Sequence, residues 1–80
     1  MLTSEQIRAA RSLLRWTAQD LAENSGVSGR TVQRLEAATG VPGGHTKNLE
    51  AVRLALEQAG VVFIDQNEES GPGVRLKDPI

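Results

Sequence analysis

Apolar residues recur at every third or fourth position through most of residues 4 to 59, which is the spacing of helices that bury one face. A β-branched and aromatic run at 61–64 is too short for a helix and predicts a strand, and a second strand is predicted at 74–76. The predicted helices cover residues 4–15, 18–24, 28–36 and 46–59. The fold class is therefore mainly α, with about four helices and a short C-terminal β-hairpin.

Hydroxyl residues mark the beginnings of three of these helices. Thr3 with Gln6 predicts a capping box, in which each side chain accepts a hydrogen bond from the other residue's backbone N–H. Thr17 with Asp20 predicts a variant of the same box, and Ser28 is expected to cap the third helix. The cap residues therefore support the helix boundaries that the apolar spacing suggests.

The C-terminal hairpin is a prediction with a structural alternative. The polar segment between the strands, DQNEESGPG, ends in a Gly-Pro-Gly turn signal. The alternative is a disordered acidic loop with one ordered strand, because an isolated two-stranded hairpin is only marginally stable. A hairpin here must pack against helices one and four, or pair with the same strand of a second copy.

The segment Thr17 to Glu36 carries the most information about function. Gly26 lies where the chain must turn after helix two, a position that often requires the positive φ that glycine adopts without steric cost. Ala22 is small enough to let the next helix cross closely over it. Three apolar residues fall on one stripe of the turn and third helix: Val27, Val32 and Leu35.

The opposite face of helix three carries Arg30, Gln33 and Arg34. Their planar, multi-donor groups match the edges of guanine and adenine in the major groove, so the two arginines are candidates for guanine and Gln33 for adenine. The further candidates on this helix are Ser28 and Thr31, for phosphate contacts, and Gly29, which leaves room. The simpler alternative is that these side chains form only a solvated helix face.

The spacing and residue types of Thr17 to Glu36 resemble the phage repressor and Cro-type helix-turn-helix family, also called XRE-like or lambda-repressor-like. The resemblance covers residues 4 to 59 and is most specific in the small Ala22, the turn Gly26 and the closing Arg34-Leu35-Glu36. It implies a lambda-repressor-like helical bundle that binds double-stranded DNA and regulates transcription.

Two further expectations come from the resemblance alone. Many members begin helix two with a glutamine that contacts phosphate, whereas this chain has Ala18 there, so Gln19 is the candidate to take over that contact. Members also commonly pair an arginine of helix one with a glutamate at the end of the recognition helix. Arg11 and Glu36 match these positions and are expected to form a partly buried structural ion pair.

The charge distribution decides whether such a chain is suited to DNA. The net charge of the 80 residues is −1, which is low for a protein that must neutralise phosphate. However, residues 1 to 48 hold six basic and four acidic groups, whereas residues 49 to 80 hold three basic and six acidic groups. The helix-turn-helix half is therefore positive. Lys47, near the start of helix four, is a further phosphate candidate.

Composition excludes several other classes of protein. The chain has no cysteine and one histidine, His45, so neither a disulfide framework nor a structural zinc site is expected. His45 is expected to be an exposed polar residue. The segment GVPGGHTK lacks the preceding strand and the Gly-Lys-Ser/Thr ending of a phosphate loop. We expect no catalytic residue, metal or cofactor, and, without a long apolar run, a cytoplasmic protein outside the membrane.

The sequence thus predicts a helix-turn-helix domain over residues 1–60 and a strand or hairpin extension over 61–80 that is a candidate dimerisation element. The expected function is that of a homodimeric transcriptional repressor. The alternative is an antitoxin-like or protein-interaction module whose C-terminal strands bind a partner protein and whose DNA binding is weak or silent. A third alternative is a domain that keeps the fold without binding DNA.

Overall fold

The computed structural model describes residues 1–44 and 46–80, so the expectation for His45 lies outside the described residues. In chain order, four helices are followed by two strands: α1 (Ser4–Leu13), α2 (Ala18–Ser25), α3 (Gly29–Ala37), α4 (Thr46–Gln58), β1 (Val61–Ile64) and β2 (Gly73–Leu76). The predicted mainly α fold with a C-terminal β-hairpin is therefore confirmed.

Both predicted capping boxes are present. The Thr3 side chain accepts from the backbone of Gln6 while Gln6 Oε1 accepts from Thr3 N at 2.9 Å. Thr17 and Asp20 make the same reciprocal pair, with Thr17 N donating to the Asp20 carboxylate at 2.8 Å. These bonds satisfy backbone N–H groups that have no partner within the helix, and they fix where α1 and α2 begin.

The end of α1 differs from the prediction, which carried this helix to Arg15. The helix ends at Leu13, and Arg15 adopts φ 58°, the left-handed conformation usually taken by glycine. In this turn Arg15 N donates to Ser12 O and Trp16 N donates to Arg11 O, both at 3.0 Å. The bonds form a Schellman motif, and its left-handed residue could not be predicted because the sequence has no glycine there.

A single apolar core joins the helices to the hairpin. α1 packs on α3, α2 packs on α3 and α4, and the two strands pack on α1 and α4. The core comprises Leu2, Ile7, Ala10, Leu21, Ala22, Val27, Val32, Leu35, Leu49, Val52, Leu56 and Val61. Trp16 and Phe63 pack against this core and are half-buried. The predicted apolar stripe of the turn and α3 is buried as expected.

The two strands pair in antiparallel register, with Val61 opposite Leu76 and Phe63 opposite Val74. These four side chains point inward, whereas Val62 and Ile64 on the other face of β1 are 40% and 45% exposed. Gln6 of α1 donates to the carbonyls of Ile64 and Gly73 at 3.2 and 3.0 Å. The hairpin is therefore fastened to α1 and is not a free arm. Among the described residues, no helix is both long and apolar enough to span a bilayer.

Candidate nucleic-acid interface

The turn between α2 and α3 has the geometry that its sequence predicts. Gly26 adopts φ 74°, and its N–H donates to Ala22 O at 3.0 Å, which closes α2. Val27 N then donates to Ser25 Oγ at 3.2 Å, and Ser28 Oγ accepts Thr31 N at 3.2 Å to cap α3. Because the turn and the cap are both hydrogen-bonded, α3 leaves the turn in a defined direction.

Arg30 and Gln33 lie on the exposed face of α3, opposite the buried Val32 and Leu35. Neither side chain makes a hydrogen bond within residues 1–44 and 46–80, and the same holds for the exposed Lys47. Their donors are therefore available to a ligand from solvent. All three side chains, which are predicted to contact bases and phosphate, are exposed.

Other predicted contact residues are engaged with one another at the amino end of α3. Ser28 Oγ donates to Thr31 Oγ1 at 3.0 Å. Gln19 Nε2 donates to Glu23 at 3.3 Å, and Gln19 Oε1 lies where it would touch a Cβ added to Gly29, at 3.7 Å. Gln19 and the start of α3 therefore share one surface, and Gly29 leaves that surface flat.

Arg34 is placed differently from Arg30 and Gln33, the other two side chains on the exposed face of α3. Its side chain is exposed, but Nη1 donates to the carbonyl of Gly43 at 2.9 Å. Gly43 belongs to the loop between α3 and α4. Arg34 was predicted to contact base edges, and in the structure its Nη1 is bonded to this loop.

The expected ion pair between Arg11 and Glu36 is present. Nε and Nη2 of Arg11 donate to the two carboxylate oxygens of Glu36 at 2.7 and 3.0 Å, a bidentate arrangement. The side chains are 27% and 10% exposed. The hydrogen bond from the Glu36 carboxylate raises the pKa of Arg11 above its ordinary value. A third donor, Nη1, holds the carbonyl of Trp16 at 2.9 Å.

Two more residues of α1 hold the carboxyl end of α3, and the sequence analysis missed both. Ser4 is fully buried and its hydroxyl donates to Leu35 O at 2.5 Å, while Arg8 donates to Glu36 O. The last carbonyls of a helix have no partner within it, so these bonds act as a cap supplied by another helix. Ser4, Arg8 and Arg11 follow at helical spacing on one side of α1, and that polar stripe was the available signal.

The loop that follows α3 is fastened to the start of α1. Ser4 N donates to Gly40 O at 2.9 Å, and Gly40 N donates to Glu5 Oε1 at 3.1 Å. Hydrogen bonds from its own backbone N–H and from that of Gly40 lower the pKa of Glu5 from its ordinary value of 4.5. α3 and its following loop are thus held from one side by α1.

The exposed face of α3 and the start of α4 present hydrogen-bond donors and positive charge. Among the residues that the structure describes, no group of three or more His, Cys, Asp or Glu side chains could hold a metal ion. No protein-family model matches the chain, and no curated protein matches it as a relative. The function is therefore inferred from the residues and their geometry.

Proposed function

We propose that the chain is a sequence-specific DNA-binding regulator of transcription of the phage repressor and Cro type, acting as a repressor in the cytoplasm. The observation that carries the proposal is the exposed face of α3, where Arg30 and Gln33 present unpaired donors from a helix fixed at both ends. Side chains of these two types make bidentate contacts with guanine and adenine in the major groove.

The hydrogen bonds that fix both ends of α3 support a role in distinguishing DNA sequences. Ser28 caps its amino end, Ser4 and Arg8 bind its last carbonyls, and the Arg11–Glu36 pair joins it to α1. Base recognition requires donors that are already positioned, because each contact must recover the cost of ordering the side chain that makes it. A helix held at both ends loses less freedom when it binds.

The proposal includes a homodimer, because two recognition helices about 34 Å apart can enter successive major grooves on one face of the duplex. The exposed Val62 and Ile64 on the outer face of the hairpin supply apolar surface for a contact between two copies. A dimer also doubles the number of basic side chains facing DNA. This matters because each protomer carries few of them, and affinity for DNA depends strongly on phosphate contacts.

The proposal is tested by comparing variants on a duplex that the wild-type chain selects, together with its single-base changes. Arg30→Ala should relax the preference at one base pair and cost about 1–3 kcal/mol, because a base-edge contact is lost. Lys47→Ala should weaken binding to all sequences alike and lower the salt dependence, as expected for a phosphate contact. Fluorescence anisotropy at several salt concentrations measures both effects.

The matched control is Arg53→Ala, which removes one arginine from the outside of α4, where it pairs with Glu50 and Glu57. It should leave the preference at every base pair unchanged. If Arg30→Ala and Arg53→Ala have the same effect, α3 is not the recognition element and the proposal is wrong.

A second candidate function is a protein-interaction module of the antitoxin-like type. The observation that favours it is the exposure of Val62 and Ile64 on a strand whose outward edge pairs with no other described strand. Such an edge can accept a strand from a partner protein. This function predicts that the substitutions of Arg30 and Lys47 are silent and that Val62→Ala, on the exposed face of β1, weakens binding of the partner.

A further inference from the structure

The Arg34 guanidinium, which donates to Gly43, also lies beside Gly44. A Cβ built on Gly44 would lie 2.7 Å from Nη1, 3.1 Å from Nη2 and 3.2 Å from Cζ of Arg34. Real Cβ atoms essentially never approach another heavy atom within 3.0 Å. The guanidinium of Arg34 therefore occupies the space that a Cβ at residue 44 would need. Glycine at this position leaves room for the guanidinium.

The loop that Arg34 contacts is held at its other end by α1. Gly40 exchanges hydrogen bonds with Ser4 and Glu5, as described above. Between Gly40 and α4 the chain contains Gly43 and Gly44, and glycine restricts backbone motion less than any other residue. Beyond the buried Pro42, the hydrogen bond from Arg34 to Gly43 ties the α4 end of the loop to α3.

This end of the loop leads directly to Lys47, the second residue of α4. Two residues separate Gly44 from Lys47, so their Cα atoms lie within about 11 Å of each other even in an extended chain. The path of the loop at Gly44 therefore limits where the first turn of α4 and its lysine can lie relative to α3.

Resting on the DNA-binding function proposed above, we infer that Arg34 is a positioning residue and not a base-contacting one. It docks on Gly43 and Gly44 and thereby sets the loop and Lys47 at a fixed distance from the recognition face of α3. Sequence preference then depends on Arg30 and Gln33, while Arg34 controls the phosphate contact that α4 supplies. The guanidinium does this with its Nη1 donor, which holds the carbonyl of Gly43.

The first test needs no DNA and uses amide hydrogen exchange in the whole chain. Arg34→Ala should speed exchange at Val41, Gly43 and Gly44 and in the first turn of α4, while exchange in α1 and α2 stays as in the wild type. Gly44→Ala should have the same effect, because its Cβ displaces the guanidinium. Unchanged exchange in the loop of both variants overturns the inference, whatever the chain binds.

Gly40→Ala is the matched control for Gly44→Ala. Both glycines have positive φ, 76° and 104°, so both substitutions strain the backbone, but a Cβ at Gly40 meets nothing within 4 Å. Gly40→Ala should therefore leave the exchange of residues 43 and 44 unchanged. Equal loosening by the two variants would mean that backbone strain, and not loss of the Arg34 contact, is responsible.

The second test separates positioning from base contact on the selected duplex. Arg34→Ala should keep the wild-type preference at every base pair, lower affinity for all sequences about tenfold, and reduce the salt slope by about 0.9 for each lost phosphate contact. A variant that is merely less folded would keep the wild-type slope. Loss of preference at one base pair overturns the inference.

The third test is a double-mutant cycle between Arg34 and Lys47. Lys47→Ala should weaken binding much less in the Arg34→Ala background than in the wild type, because the lysine is already misplaced there. Fully additive effects overturn the link between the two residues. If the wild-type chain binds no duplex, the proposed function fails, and so does the claim that Arg34 positions Lys47 for a phosphate contact. The claim that Arg34 holds the loop at Gly43 and Gly44 is decided by hydrogen exchange alone.

Discussion

At the scale of single residues, the Arg11–Glu36 pair links α1 to the end of α3. Arg11 uses three donors, two on the Glu36 carboxylate and one on the carbonyl of Trp16. Its loss would leave a carboxylate that is only 10% exposed without a partner. The Arg11 side chain therefore links the α1–α2 turn to the carboxyl end of α3.

Arg11→Met should lower the free energy of unfolding by about 2 kcal/mol, between the values of exposed and fully buried ion pairs. Urea denaturation measures the change. Arg53→Met is the matched control, because Arg53 pairs with Glu50 and Glu57 on the outside of α4, and its effect should be clearly smaller.

Replacing both members of the pair tests the physical reason for this effect. The double variant Arg11→Met with Glu36→Met should be more stable than Arg11→Met alone, because no unpaired carboxylate remains. A double variant that is as unstable as the sum of the two single variants would show that the arginine matters for packing and not for charge.

At the scale of elements, the beginning of α1 and the loop after α3 are joined by Ser4, Glu5 and Gly40. The hydrogen bonds that lower the pKa of Glu5 favour its ionised form in the folded chain. The stabilisation is therefore fully present above the unfolded pKa, near 4.5, and is lost as the pH falls through the lower pKa of the folded chain.

Glu5→Gln should make the protein less stable than the wild type at neutral pH, and this difference should disappear as the pH falls below 4.5. Thermal unfolding at a series of pH values gives the comparison. Glu68→Gln, in the exposed loop of the hairpin, changes the net charge equally and is the matched control. A difference for Glu5→Gln that persists at low pH would contradict the proposed role of its carboxylate.

The elements themselves were largely predictable, because their signals are local in the sequence. Hydroxyl caps at Thr3, Thr17 and Ser28 determine where three helices begin, and the sequence shows them directly. The left-handed Arg15 was missed because the turn rests on backbone hydrogen bonds that any residue can make.

Contacts between distant parts of the chain were harder to predict. The Arg11–Glu36 pair was expected only from the family resemblance. The bonds from Ser4 and Arg8 to the end of α3, and from Arg34 to Gly43, depend on which faces of the helices meet. Periodicity shows whether a helix face is apolar or polar, but it does not show which element packs against that face. The bond from Arg34 to the loop was therefore not predicted.

At the scale of the whole molecule, the net positive charge and the exposed face of α3 lie in the first half of the chain, and most of the acidic groups lie in the second. The hairpin of the second half is fastened to α1 by Gln6 and contributes Val61 to the core. Because the hairpin and α3 both pack on α1, a dimer formed through the hairpin would hold two copies of α3 in a fixed relation.

The central claim is that the exposed face of α3 recognises a DNA sequence, and selection from a pool of random duplexes tests it most directly. The wild-type chain should enrich an inverted repeat whose half-sites lie one helical turn apart, about 10 base pairs. Arg30→Ala should enrich a less defined site, whereas Arg53→Ala should enrich the wild-type one. Failure of the wild-type chain to enrich any sequence at moderate salt would contradict the claim.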